Sequence, residues 1–192
     1  MLIAQLTDLH IKKQGKIAYQ KVDTLQCLKN AVAHINSLSP QPDWVIVTGD
    51  LGDFGTPEEY DVLVPELKKL KAPIKVVPGN HDHRDHLRVA FDGLASFDHS
   101  EFCHFSQISE GYHLLGLDTS VLGKPYGQLA PESLLWLSEQ LLAHTELPTL
   151  IFLHHPPMEV GIDHMDVQKL LNDEALWQVV KHHTQVSGLV AG

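Results

Sequence analysis

The stretch VVPGNHDHRDH, Val76 to His86, decides how this chain is read. It leaves a short apolar run, Ile74–Val77, and at once crowds one Asn, three His and two Asp into a few residues. A turn needs only residues that tolerate unusual dihedrals, such as Gly, Pro, Asn or Ser. This one carries proton-active and metal-capable groups that a turn does not require.

Working outward, the apolar runs alternate in period. Met1–Leu6, Trp44–Val47, Ile74–Val77, Thr149–Leu153 and Val186–Val190 are short, buried-type strands. Between them the spacing predicts helices. One runs over about Tyr19–Leu38, with Val22, Leu25, Leu28, Val32 and Ile35 on one face. Another opens at the capping box Thr56-Pro57-Glu58-Glu59 and runs through Leu63, Leu67 and Leu70. A short helix is expected near Leu87–Phe91, a longer one over Pro131–Ala143, and a helical region over Val167–His183 with Asp166 as its N-cap. Phe102–Ile108 and Tyr112–Leu117, joined across Ser109-Glu110-Gly111, predict an antiparallel hairpin. Alternating strand and helix implies an α/β fold with parallel pairing. The hairpin interrupts that order and predicts a second sheet packed on the first.

The polar clusters recur at one kind of place. Asp8 and His10 follow the first strand, Asp50 the second, Asn80 and His81 the third, and His154 and His155 the strand Thr149–Leu153. In a parallel sheet the carboxyl ends share one edge, where α/β proteins hold ligands. The Asp8-x-His10 spacing, taken as extended chain, points both side chains the same way. Asp50 has two oxygens and can bridge, Asn80 offers a carbonyl oxygen, and only one of His154 and His155 can aim inward. Mixed oxygen and nitrogen donors suit Mn, Fe or Zn better than Ca or Cu(I).

The bulk numbers narrow the classes. With 192 residues and 43% hydrophobic content the chain reads as one domain with a core. A net charge of −10 argues against a nucleic-acid polymer as partner. Cys27 and Cys103 form no CxxC pair, which suggests a reducing, cytoplasmic setting. Asp8 arrives too early for a signal peptide, and no apolar run approaches membrane-spanning length, so no membrane partner is expected.

These blocks resemble the calcineurin-like metallophosphoesterases, in particular the branch of class III cyclic nucleotide phosphodiesterases and glycerophosphodiesterases. The family pattern D-x-H, G-D-x-x-D, G-N-H-D/E, H-x-P stands here as Asp8-Leu9-His10, Gly49-Asp50-Leu51-Gly52-Asp53, Gly79-Asn80-His81-Asp82 and His154-His155-Pro156. The stretch Leu117–Leu141 also looks like the cyclic nucleotide branch. The resemblance implies a two-sheet α/β/β/α sandwich with mixed sheets and two metal ions, Mn, Fe or Zn. Asp8, His10 and Asp50 would hold the first ion, and Asp50, Asn80 and His154 the second. His81 would protonate the leaving group, with Asp53 orienting and charging it. The implied activity is hydrolysis of a small phosphodiester such as 3',5'-cAMP or a glycerophosphodiester. A phosphomonoesterase, a nucleotide-lipid pyrophosphatase or a non-catalytic metal-binding module on the same core are the alternatives, and homo-oligomer formation stays open.

The family's fifth block, G-H-x-H, is expected after the last strand, whereas this chain ends SGLVAG at Gly192. Residues 1–192 therefore read as a metallophosphoesterase domain truncated before its last metal-ligand motif, each ion lacking one His. His182 or His183 would substitute only by rearranging the last helix. Taken singly, each block is an ordinary turn or strand exit; their coincidence at one sheet edge is what argues for a site. Asp118, His104, His113 and His164 read as ordinary structural residues, and Cys27 and Cys103 as small buried groups. His83, Arg84 and His86 read as solvating the next helix, with a substrate-facing role as the alternative.

Overall fold

A computed structural model describes residues 1–192 apart from Tyr19 and Ser100. The described strands form two sheets. The first is parallel, in the order β1 (Ile3–Leu6), β2 (Trp44–Thr48), β3 (Ile74–Val77), with Leu6 opposite Val47 and Val47 opposite Val76. The second is mixed: β4 (Phe105–Ser109) is antiparallel to β5 (Tyr112–Leu117), and β6 (Thr149–Leu153) and β7 (Val186–Ala191) continue in parallel.

Side-chain alternation along the strands builds three packed layers of core. Val47 and Val76 face a cluster with Leu28 and Val32 of α1 (Thr24–Ser37) and Leu63 and Leu67 of α2 (Pro57–Leu67). One residue along, Ile46 and Val77 turn the other way and meet Phe105, Leu114 and Phe152 of the second sheet. On that sheet's outer face, Leu115, Leu117, Ile151 and Leu153 pack on Trp136, Leu137 and Leu141 of α4 (Pro131–Ala143) and Leu176 of α6 (Asp173–Val180). The result is the expected helix–sheet–sheet–helix sandwich, driven by burial worth about 2 kcal/mol for each large apolar side chain.

Local signals fix the helix starts. Asp23 accepts from Gln26 N–H at 2.9 Å to begin α1. Glu59 accepts from the N–H groups of Phe54 and Thr56, so α2 starts at Pro57. The helix expected from about Tyr19 is corrected to a start at Thr24: Val22 pairs with Ala18 in an isolated bridge instead of joining the helix, and Tyr19 itself lies outside the described residues. Helix α3 spans Arg84–Ala90, three residues earlier than its apolar pattern suggested, and β4 starts at Phe105 rather than Phe102.

The helical region expected over Val167–His183 is corrected. A single turn, α5 (Asp163–Asp166), precedes it, and α6 begins only after Asn172. Leu170 is pulled off the helix path because its N–H bonds Pro156 O at 2.9 Å while Gly127 pairs beside it. Asp166 is no N-cap: its carboxylate takes the N–H groups of Val160 and Gly161 and closes the preceding loop. Among the described residues no helix is long and apolar enough to cross a membrane.

Candidate metal centre

The loops leaving β1, β2, β3 and β6 meet at one edge of the sandwich. The first two stay paired beyond their strands: His10 N–H bonds Asp50 O at 2.9 Å, and Ile11 N–H bonds Leu51 O at 3.0 Å. The expectation that Asp8 and His10 converge as extended chain is corrected, because Asp8 (φ 53°), His10 (φ 42°) and Asp50 (φ 52°) are all left-handed. Non-glycine residues held there cost about 1–3 kcal/mol each and cluster at functional sites. The convergence itself holds by another route. Ligand atoms of Asp8, His10 and Asp50 lie within 4.8 Å of one another.

Asp50, almost fully buried, is the centre of the arrangement. Its Oδ2 lies 3.6 Å from His10 Nε2, and its Oδ1 lies 3.4 Å from His154 Nε2. Asp8 Oδ1 is 3.8 Å from His10 Nε2, and Asn80 Oδ1 is 3.2 Å from His154 Nε2. Most of these gaps are too long for hydrogen bonds. Two donors that each sit about 2.1 Å from one ion lie about 3.0–3.4 Å apart, so the spacing fits ligands arranged around cations. The donor set, carboxylate oxygens, an amide oxygen and imidazole nitrogens, suits a first-row divalent metal. An open cavity of about 270 Å³ is lined by Asp8, His10, Asp50, Asn80, His81 and His154, and β7 delivers Gly192 to its rim.

The imidazole tautomers follow from what each ring touches. His154 Nδ1 lies 2.8 Å from Thr48 O, and a carbonyl can only accept, so Nδ1 carries the proton and Nε2 turns a lone pair toward Asp50 and Asn80. His81 is fixed the same way: Nδ1–H donates to the Asp53 carbonyl at 2.7 Å, leaving Nε2 over the cavity, 4.0 Å from Asp50 Oδ2. The expected contact with Asp53 is thereby corrected in its atom. The Asp53 backbone oxygen orients His81, while its carboxylate faces His10 Nδ1 at 3.5 Å and the Lys12 ammonium. His155, as expected of a neighbouring pair, turns away from His154 to Thr119 Oγ1 at 2.7 Å. Burial, followed by the nearby His154, pushes its imidazole down to about 3.

Two glycines permit these approaches. A Cβ on Gly49 would overlap the His154 ring, and one on Gly79 would overlap Asp50 Oδ1 and N. Gly49 also has φ 93°, a conformation that side chains rarely adopt.

Sequence reasoning missed the groups that lock the loops. Asp82 Oδ2 accepts from Leu51 N–H (3.1 Å) and Gly79 N–H (2.9 Å), and Oδ1 from Gly52 N–H (3.0 Å) and the Tyr60 hydroxyl (2.9 Å). Desolvation raises its carboxyl above the ordinary range while the Gly79, Gly52 and Leu51 N–H groups pull against that rise. Burial, then Asp82, holds the Tyr60 phenol above its usual value. Asp118, past the end of β5, receives both Arg84 Nε at 2.5 Å and Arg84 Nη2 at 3.1 Å, as well as Ser120 Oγ at 2.7 Å. Burial alone would raise the Asp118 carboxyl, but Arg84 outweighs it and the net shift is downward. Arg84 thus ties the start of α3 to the loop after β5 and is not a solvating residue. His83 stacks on His86 at 4.3 Å, and His86 Nδ1 bonds Gly55 O at 2.8 Å. Position after a strand end was the available signal for Asp118, and membership of the G-N-H-D block was the signal for Asp82.

The family model for calcineurin-like phosphoesterases matches residues 1–192. A "Probable glycerophosphodiester phosphodiesterase GpdQ" of Arcobacter nitrofigilis is 43% identical over 195 residues, which cover 100% of this chain and 71% of that protein. The "Glycerophosphodiester phosphodiesterase GpdQ" of Enterobacter lignolyticus is 31% identical, covering 100% of this chain and 70% of its own length. The "3',5'-cyclic-nucleotide phosphodiesterase alr5338" of Nostoc is 32% identical, with 99% and 70% covered.

Proposed function

Because the chain belongs to the calcineurin-like phosphoesterase family, whose relatives here are named phosphodiesterases, we propose that it hydrolyses a small phosphodiester at a two-metal centre. Residues 1–192 form the metallophosphoesterase core in this reading. Asp8, His10 and Asp50 would hold one ion, and Asp50, Asn80 and His154 the other, Mn, Fe or Zn being the candidates. The observation that carries the reading is the division of Asp50, one oxygen toward His10 and the other toward His154.

Bound there, two such ions would supply charge neutralisation and a lowered pKa for water. The chain's own residues do the rest. His154 and His10 keep their Nε2 lone pairs aimed inward, and Asp50 holds the two ligand groups in register. His81 Nε2 faces the cavity and donates the proton that the departing alkoxide needs when the P–O bond breaks. The Asp53 carbonyl keeps that ring's other nitrogen protonated, so Nε2 alone exchanges the proton. The substrate is a small diester of the glycerophosphodiester or cyclic nucleotide type, as the relatives' names suggest. Cys27, exposed where a buried group was expected, and Cys103, buried, are both free and fit a cytoplasmic setting.

The test is hydrolysis of bis(p-nitrophenyl) phosphate and of p-nitrophenyl phosphate with added Mn²⁺, alongside metal content. Faster turnover of the diester is expected. Preference for the monoester would transfer the assignment to a phosphomonoesterase, and bound metal with no turnover of either would leave a non-catalytic module. His81→Ala should retain metal and lose turnover most on substrates with poor leaving groups; metal loss that accounts for the whole defect would remove His81 from the proton-donor role.

A further inference from the structure

Beside the candidate centre lies a second groove of about 390 Å³, and it shares Asn80 and His81 with the metal cavity. Phe54, from the loop after β2, and Leu122, from the loop after β5, both line it. They are 71% and 74% exposed. One exposed apolar side chain is unremarkable on any surface. Two large ones, brought from different sheets to a single groove that opens on His81, give an otherwise largely polar lining two apolar faces.

Neither sits on a loose loop. Phe54 N–H is fastened to the buried Glu59 carboxylate at 2.9 Å. The Lys12 ammonium lies 4.6 Å from the Phe54 ring centroid and is itself held by Asp53. That cation–π contact steadies the ring, and the exposure leaves it much open area. The Leu122 loop is pinned two residues earlier, where Arg84 binds Ser120 O and Asp118 accepts from Ser120 N–H and Oγ. Apolar side chains carried on anchored loops cover a flat group with little further ordering.

We propose that this groove is the leaving-group subsite and that it selects phosphodiesters whose alcohol carries a planar aromatic group, a nucleoside or an aryl ester, packed against Phe54 and Leu122. The inference rests on the reading of His81 as proton donor. The oxygen that takes the His81 Nε2 proton lies beside that ring, so its substituent extends into the groove that begins there. A glycerol headgroup would leave the two side chains exposed to water. A planar ring covers them, and stacking of a base on an aromatic side chain is worth about fivefold to a hundredfold in affinity.

The experiment compares kcat/KM for cyclic 3',5'-AMP and for glycerophosphoethanolamine in the Mn²⁺-loaded protein and three variants. The ratio of the first to the second should fall about tenfold in Phe54→Ala and several-fold in Leu122→Ser, through KM, and should be retained in Phe54→Trp. An unchanged ratio in Phe54→Ala, or a Phe54→Trp protein as impaired as Phe54→Ala, overturns the subsite. Calorimetric binding of AMP against glycerol 3-phosphate gives a readout independent of turnover, with AMP tighter in the parent and the advantage lost in Phe54→Ala. Absence of hydrolysis of both diesters with that binding preference intact would refute the proposed reaction and keep the subsite; hydrolysis of both with no preference would do the reverse.

Discussion

Removal of the Asp82 carboxylate tests how the centre is held together. Three backbone N–H groups and one phenol converge on its two oxygens, all in buried surroundings. In Asp82→Ala all four donors lose their acceptor. A buried orphan costs about 1–3 kcal/mol, and the space vacated can admit water, so the low end applies and the loss is about 4 kcal/mol. That is a large share of the roughly 5–15 kcal/mol by which a domain is stable. Asp82→Asn keeps the shape and one acceptor oxygen; with its NH₂ in the Oδ1 place the Tyr60 hydroxyl can turn to accept, which leaves the Gly52 N–H facing a donor, and the change should cost about 2 kcal/mol. Tyr60→Phe removes only the phenol and should cost about 1 kcal/mol. Urea midpoints at pH 7 order the three, with the m-value checking that unfolding still exposes the same surface. Leu51 and Gly79 are chain neighbours of Asp50 and Asn80, so Mn²⁺ affinity measured by titration should weaken in Asp82→Asn more than in Tyr60→Phe. An Asp82→Ala protein within about 1 kcal/mol of the parent, or a Tyr60→Phe protein as damaged as Asp82→Asn, would refute the reasoning.

Other outcomes follow from the same contacts. Gly79→Ala inserts a methyl into Asp50 and should lower Mn²⁺ affinity at least about tenfold, read by isothermal titration, while circular dichroism keeps the parent's form. His104 and His113 are fully buried and depressed to about 4 by desolvation, His113 also by His144. His104 Nδ1 accepts the Asp118 N–H at 3.0 Å, which a protonated ring could not do. Depressed histidines stabilise the fold above their unfolded pKa and lose that contribution as pH falls toward the folded one. Metal-free protein should therefore be less stable at pH 5 than at pH 7 by up to about 2 kcal/mol for each, and His104→Gln should flatten that slope; equal urea midpoints at the two pH values would contradict it.

The strand sequence was legible wherever a run was short, apolar and bounded by turn residues. Ile74–Val77, Tyr112–Leu117 and Thr149–Leu153 stand where the pattern put them, and so does the Pro131–Ala143 helix. Val167–His183 failed because its breaks are tertiary: Pro156 and Gly127 draw Leu170 out of the helix, and nothing in its own periodicity records them. The gathering of Asp8, His10, Asp50, Asn80 and His154 was legible from a topological rule, since carboxyl ends of parallel strands share an edge. The local geometry assumed for Asp8 and His10 was not, because left-handed dihedrals are imposed by pairing with the neighbouring loop.

The sequence by itself determined the order of elements and which polar residues reach the common edge, because both follow from chain period and chain order. Only the tertiary structure decided which atom does what: that Asp53 orients His81 through its carbonyl, that Asp82 and Asp118 clamp the loops, and that Phe54 and Leu122 share one groove. The physical reason is that periodicity assigns a side chain to a face, whereas a hydrogen bond or a tautomer depends on ångström-scale distances between segments far apart in the chain.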